Sequence, residues 1–288
     1  MNNLLSIIEK THFHPLMWLV VALAVATAHF IDLLLLLIII FIHELGHAMA
    51  ASYFSWRIKK ISILPFGGVA EMDEHGNRPL KEEAIVTIAG PLQHVWLIGA
   101  AFLVYHLDWM STHLFQSFIQ YNLMIFIFNL LPIWPLDGGK FLFLWLSLKD
   151  SFPEALRKTL LFSAYGIAAF IGVILFVEPL NLNIWVVLAF LIFSLYHEWK
   201  QSRYVFVRFL LERYYGKANN YQKLKPIVVK EEEMIIHVLE KFQRGYKHPI
   251  IIEQNGKEKA SLDENELLHA YFTEKLISAR VGDLLYQY

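Results

Sequence analysis

Leu33-Leu34-Leu35-Leu36-Leu37-Ile38-Ile39-Ile40-Phe41-Ile42-His43-Glu44-Leu45-Gly46-His47 decides how this chain is read. Leu33 to Ile42 carries no polar side chain, and the run ends in an HExxH motif. On a helix, His43 and His47 lie at i and i+4 on one face, where both imidazoles reach a single Zn²⁺. Glu44, between them, is placed to take a proton from an attacking water. An imidazole pair and a carboxylate inside a helix of hydrocarbon length are costly, so they imply a use. The use implied is zinc-dependent hydrolysis within a membrane.

With 13 His in 288 residues, a chance HExxH somewhere in the chain is an event of about a few per cent. Placement inside an apolar span is rarer still. A decoy stands at His197-Glu198, where the residue four after the histidine is Gln201 and no second imidazole follows. That pair reads as the interfacial end of a helix.

Composition supports a membrane class. The chain is 56% hydrophobic and 15% aromatic, with mean hydropathy +0.43. The net charge of −1 decides little, but its distribution is informative. Apolar stretches that suit spans run over 16–31, 33–54, 84–105, 114–132, 159–177 and 183–199. The first two are divided by His29 and Asp32. The joins from first to second, third to fourth and fifth to sixth contain no Lys or Arg. The alternate segments hold Lys10, then Arg57, Lys59, Lys60, Arg78 and Lys81, then Lys140, Lys149, Arg157 and Lys158, then Lys200 and Arg203. By the positive-inside rule this predicts about six helices, with both termini in the cytoplasm. His43 and His47 then fall in the cytoplasmic half of the second span. The N-terminus does not read as a cleavable signal peptide. Zero cysteine removes disulfides and thiolate ligands, so any metal must use His, Asp or Glu.

A hydrolytic zinc site takes a third protein ligand and leaves one position open. The leading candidate lies in Asn129-Leu130-Leu131-Pro132-Ile133-Trp134-Pro135-Leu136-Asp137-Gly138-Gly139. Asp137 ends an apolar span beside helix-breaking prolines and two glycines. Irregular backbone at membrane depth is tolerated where it is buried in protein or lines a polar cavity. The plain alternative is a capping aspartate at a membrane exit. Glu71 and Asp73 fall in a loop, and Asp32 and Asp108 on the far face, whereas Asp137 shares a side with the histidines.

Ile61-Ser62-Ile63-Leu64-Pro65-Phe66-Gly67-Gly68-Val69-Ala70-Glu71-Met72 reads as two short strands around a Gly-Gly turn. The segment is apolar for a loop, so it is expected to dip into the membrane; the alternative is an amphipathic hairpin on the interface. A helical peptide bond is shielded by its own hydrogen bonds and must be unwound before cleavage. A free strand edge here would take the extended segment by β-addition.

The residues now quoted resemble a family. His43-Glu44-Leu45-Gly46-His47, Ala89-Gly90-Pro91 and Leu136-Asp137-Gly138 are similar, in order and in placement, to the motifs of the site-2 proteases, which are intramembrane zinc metalloproteases. The resemblance covers about residues 13 to 200. It implies one Zn²⁺ held by His43, His47 and Asp137, with Glu44 as base. It also implies that Asn129 and the turn containing Pro132 and Pro135 lie near substrate. Phe66 then plugs or lines the entry path, beside Gly67 and Gly68. A single cytoplasmic domain after the membrane part resembles the branch that processes pro-sigma factors. That implies a membrane-tethered precursor cut near the cytoplasmic face, releasing an active transcription factor in sporulation.

After Lys200 the composition shifts. Gln201 to Tyr221 is basic and aromatic and reads as an amphipathic linker helix against an anionic membrane surface, or as a plain solvated linker. From Lys225 the pattern predicts a strand at Ile227–Val229, a helix at Glu231–Phe242, a strand at Pro249–Glu253, an Asn255-Gly256 turn and a helix at Asp263–Phe272. With Val281-Gly282-Asp283-Leu284-Leu285 this resembles one cystathionine-β-synthase (CBS) motif, although Lys257-Glu258-Lys259-Ala260 stands where a small apolar strand is usual. In that family two motifs pair and many pairs bind adenine nucleotides such as ATP. One copy implies pairing between chains, hence a homo-oligomer. The alternative is a passive docking module.

The expected fold is therefore membrane α-helical, with a membrane-associated hairpin and a small cytoplasmic α+β CBS-like domain. The divisions expected are 1–200, a linker 201–224, and 225–288. Rival readings are a metal transporter, a membrane-anchored zincin acting outside the bilayer, and an idle scaffold. A zincin typically takes a Glu ligand from a separate helix, and beyond HExxH no Glu stands in an apolar span except Glu198 of the decoy. A transporter needs ligands from face to face, and the far side offers little beyond His29, Asp32, His106, Asp108 and His113. The expected partners are the bilayer, a tethered protein substrate and an inhibitory membrane protein; no nucleic acid is expected.

Overall fold

The computed structural model describes residues 11–13, 15–64, 67–72, 78–216, 223–254 and 257–285. The chain divides into two compact units. The first comprises Met1–Glu74, Lys81–Leu142 and Leu160–Tyr196; the second comprises His75–Leu80, Phe143–Thr159 and His197–Tyr288.

In the first unit, strand β1 (Thr11–Phe13) precedes helices α1 (Pro15–Ala26) and α2 (Phe30–Tyr53). The division expected at His29 is present. Ala28 takes a left-handed φ of 59° and the His29 N–H donates back to the Ala24 carbonyl, closing α1. The 24 residues of α2 extend about 36 Å, enough to cross a hydrocarbon core. Its Leu34, Ile38 and Met49 are exposed, whereas His43, Glu44 and His47 are buried. Apolar outside and polar inside is the arrangement lipid requires.

Strands β2 (Ile58–Leu64) and β3 (Gly67–Met72) pair antiparallel, with Leu64 opposite Gly67, and β1 pairs parallel to β2. Two strands were expected, but Gly67 and Gly68 open β3 instead of forming the turn. Pro65 and Phe66 lie outside the described residues. The sheet order is β1-β2-β3, so β3 is an edge.

Helices α3 (Leu80–His106) and α4 (Thr112–Asn129) complete the core around α2. Ser111 caps α4 by accepting from the Leu114 N–H. Ile39, Leu97, Ala101 and Phe118 form one buried apolar cluster across these three helices. About one turn away on each, the same faces carry His43, His94 and Asn122. The apolar cluster thereby sets the spacing of the polar one.

Helix α5 (Asp137–Ser147) follows a loop with a cis Trp134–Pro135 bond, held by a hydrogen bond from the Trp134 N–H to Ser163 Oγ. Helices α6 (Phe152–Val177) and α7 (Leu182–Tyr215) complete the helical set. Among the described residues, four helices are long and apolar enough to cross a membrane: α2, α3, α6 and α7. Of the other two expected spans, α1 is short at 12 residues. The 18 residues of α4 are diluted by Gln116, Gln120 and Asn122. The apolar-to-basic change at Lys200 is no helix end, because α7 continues unbroken to Tyr215.

In the second unit, β4 (Ile227–Lys230) pairs parallel to β5 (Ile250–Gln254), which pairs antiparallel to β6 (Lys257–Leu262). Val229, Ile250, Ile252 and Leu262 are buried from the sheet. Helices α8 (Ile235–Leu239), α9 (Glu264–Phe272) and α10 (Val281–Leu284) bury Val238, Leu239, Leu267, Leu268 and Val281. Helix α8 is shorter than the expected Glu231–Phe242. The Gly282 and Val281 N–H groups take the carbonyls of Glu231 and Glu233, so those carbonyls are engaged by a distant segment. Lys257-Glu258-Lys259-Ala260 forms a strand despite its charge, because its backbone pairs with β5. Asp263 and Glu266 form a capping box on α9.

Candidate metal centre

His43 and His47 project from one face of α2, and Asp137 reaches them from the first turn of α5. Asp137 Oδ2 lies 3.1 Å from His43 Nε2 and 3.1 Å from His47 Nε2. The two Nε2 atoms are themselves 3.1 Å apart. All three residues are buried. Among the described residues they are the one group of three with metal-ligand chemistry. Ligands about 2.0–2.1 Å from a tetrahedral zinc stand about 3.3 Å from one another, so this triangle of two nitrogens and one carboxylate oxygen fits the ion.

Glu44 is 6% exposed. Its side chain rests on β3: a Cβ at Gly68 would overlap Glu44 Cγ and Cδ. The edge strand thus comes to backbone contact with this carboxylate, as only glycine permits.

A second ring of groups turns each ligand. His47 Nδ1 bonds the Val86 carbonyl at 2.8 Å, so with Nε2 facing the centre the Nδ1–H donates. His43 Nδ1 lies 3.0 Å from His94 Nε2, and His94 Nδ1 lies 2.7 Å from Asn122 Oδ1. Lys140 Nζ donates to Asp137 Oδ1 at 3.0 Å, which leaves Oδ2 for the centre. Such outer partners fix ligand orientation and basicity. Gly90 lets α3 close on α2, since a Cβ there would overlap the His47 ring.

His43, His47 and Asp137 are thus brought together, with Glu44 on the same helix beside them. His94 and Asn122 were not singled out, although polar side chains within apolar spans are themselves a signal; Val86, which acts through its carbonyl, and Lys140, outside the spans, carry no such signal. Pro132 and Pro135 lie in the loop that delivers Asp137, and this loop packs against Gly138, where a Cβ would overlap the Leu130 and Leu131 carbonyl oxygens. The Asn129 amide donates to Ile125 O in its own helix. Gly67 and Gly68 open β3, and Phe66 lies outside the described residues. The decoy His197 bonds Gln201 in the second unit.

The chain is similar to known proteins. The family model described as "Peptidase family M50" matches residues 31–108 and 106–173. Over 288 residues the chain is 51% identical to stage IV sporulation protein FB of Bacillus subtilis (strain 168), covering 100% of both. The chain belongs to peptidase family M50. This M50 peptidase is also 32% identical over 232 residues to a zinc metalloprotease of Methanocaldococcus jannaschii, covering 78% of this chain and 64% of that protein. Among solved structures it is similar to the site-2 protease from Methanocaldococcus jannaschii, with a TM-score of 0.52 and 28% identity, over 65% of this chain and 89% of that one. A site-2 protease fold with several apolar helices makes the M50 peptidase here a multi-pass membrane protein.

Proposed function

We propose that this M50 peptidase is an intramembrane zinc metalloendopeptidase in which His43, His47 and Asp137 hold the ion and Glu44 is the catalytic base. The single observation that carries the reading is the buried triangle of three ligand atoms beside Glu44. Zinc, when bound, supplies a Lewis acid for the scissile carbonyl and lowers the pKa of a water. Glu44 takes the proton of the attacking water and returns it to the departing amine nitrogen, so one water is consumed per peptide bond. Lys140 and the Val86 carbonyl hold the carboxylate and imidazole in place. β3, at the edge of the β1-β2-β3 sheet among the described residues, accepts an extended substrate strand, and Gly68 brings that edge against Glu44.

The substrate is a membrane-tethered precursor, a pro-sigma factor, cut near the cytoplasmic face. The full-length likeness to a sporulation protein supports that choice. The alternation of Lys and Arg between segments supports cytoplasmic termini and a catalytic centre on that side. Gly67, Gly68, Asn129, Pro132 and Pro135 border the substrate path. The C-terminal unit, with its β4-β5-β6 sheet, is a CBS-like module that pairs between chains and takes an adenine nucleotide. A membrane protein that blocks the substrate path holds the enzyme in check.

The test is zinc content of the purified protein beside Asp137→Asn and Glu44→Gln, with cleavage of a tethered pro-sigma substrate in parallel. About one zinc per chain is expected, weakened by Asp137→Asn and kept by an inactive Glu44→Gln. Full zinc and full cleavage in Asp137→Asn would move the third ligand elsewhere.

A further inference from the structure

The geometry points to His94 and Asn122 as positioning residues that make His43 a competent metal ligand, an inference that rests on the zinc reading of the site. His43 Nε2 faces His47 and Asp137, so a ligating His43 carries its proton on Nδ1. That N–H donates to His94 Nε2 at 3.0 Å. His94 must then carry its own proton on Nδ1, and it donates to Asn122 Oδ1 at 2.7 Å. His94 and Asn122 are both 0% exposed, so no water from bulk substitutes for either.

The direction of this chain is shared by all of its links, out to Asn122. Neutral imidazole has one donor and one acceptor, so each link dictates the next. If the Asn122 amide turned over, its Nδ2 would donate to His94 Nδ1, and His94 would donate from Nε2 to His43. The His43 proton would then sit on Nε2, where the metal must bind. Asn122 Nδ2 is buried and has no hydrogen-bond partner among the described residues. No second contact through that nitrogen therefore pins the amide, and the His94 bond alone ties its orientation to the ligand. His47 differs, because the Val86 backbone carbonyl on its Nδ1 accepts only. The two imidazole ligands are thus oriented by unlike devices, one fixed by the backbone and one by a reversible relay of side chains.

The experiment uses detergent-purified full-length protein with His94→Leu, His94→Gln, Asn122→Leu and Asn122→Asp. Zinc affinity is read by chelator competition, and ligand geometry by the visible absorption of the cobalt(II)-substituted protein. His94→Leu and Asn122→Leu should weaken zinc about 10–100-fold and change the cobalt bands. His94→Gln, whose amide both accepts and donates, and Asn122→Asp, which as a carboxylate only accepts and preserves the direction, should stay close to wild type. Wild-type affinity and spectrum in both leucine variants would overturn the relay. Equal losses in His94→Gln and His94→Leu, or in Asn122→Asp and Asn122→Leu, would also overturn it by showing packing alone. Should His94→Leu fail to accumulate, the Asn122 pair decides by itself. A wild-type protein that binds no zinc would sink the zinc reading and this inference with it, whereas zinc binding indifferent to all four variants sinks the inference only.

Discussion

Gly90 lies flush against the imidazole of His47, so closely that a Cβ would overlap Nε2 and Cε1, on the ring edge turned toward His43 and Asp137. Small residues where membrane helices cross let backbones approach, and here the approach presses on a ligand. Gly90→Ala should displace that ring. Overpacking of this kind costs about 1–3 kcal/mol, and about 1.4 kcal/mol of it at the ligand is a tenfold loss of zinc affinity. Gly99, in the same helix, has nothing within 4 Å of its would-be Cβ. Gly99→Ala is therefore the control and should bind zinc as wild type does. Chelator competition on the two variants checks this, and equal affinities would show that Gly90 does not hold His47.

Gly68→Ala should give the complementary defect. The three atoms nearest the new methyl all belong to the Glu44 side chain. Zinc should stay bound while cleavage falls by about 10²-fold or more, the worth of a positioned general base. Zinc content and cleavage measured on one preparation separate this from Gly90→Ala. Loss of zinc in Gly68→Ala would mean that the strand supports the ligands and not the base.

The reason some of this was legible in the sequence is locality. His43, Glu44 and His47 are related by one helical turn, and Asp137 is a charge at the end of an apolar run flanked by helix breakers. His94 and Asn122 are no less polar for their spans, but the partners they meet lie 51 and 28 residues away in the chain. Gly67-Gly68 reads as a turn because such pairs commonly serve hairpins. In the fold the glycine is needed for close approach to Glu44, which no local pattern encodes. The helix expected from Glu231 starts late for a similar reason, since residues 281 and 282 claim its first carbonyls.

In the second unit, Arg213 and Glu264 form a buried two-point pair, with Nε to Oε1 at 2.6 Å and the second bond to Oε2 at 2.9 Å. Arg213 also donates to the carbonyls of Gln243 and Tyr246, and Glu264 Oε2 accepts from the His248 N–H. Removing one partner leaves the other charge buried without compensation, at about 3–5 kcal/mol. Glu264→Ala should therefore make residues 223–285 sensitive to limited proteolysis while leaving zinc content unchanged. Arg213→Lys should fail to rescue, because an ammonium cannot reproduce the fork. Wild-type proteolytic resistance in Glu264→Ala would show the pair to be dispensable.

His248 makes the same unit sensitive to acid. Its Nε2 accepts from the Gln243 N–H at 2.9 Å, and its Nδ1 lies 2.8 Å from the Lys225 carbonyl, so the folded ring is neutral with the proton on Nδ1. Burial, with Arg213 nearby, lowers its pKa below the usual 6.5, against the raising effect of the Lys225 carbonyl. Because the folded-state value lies below the unfolded one, the unfolded chain takes up the proton first as pH falls. Its contribution is complete above pH 6.5 and is lost progressively below it, toward the lowered folded-state pKa. Hydrogen exchange across residues 223–254 should accelerate below that pH beyond its intrinsic pH dependence, and His248→Gln should remove the excess. An excess that persists in His248→Gln would assign the acid sensitivity to another group.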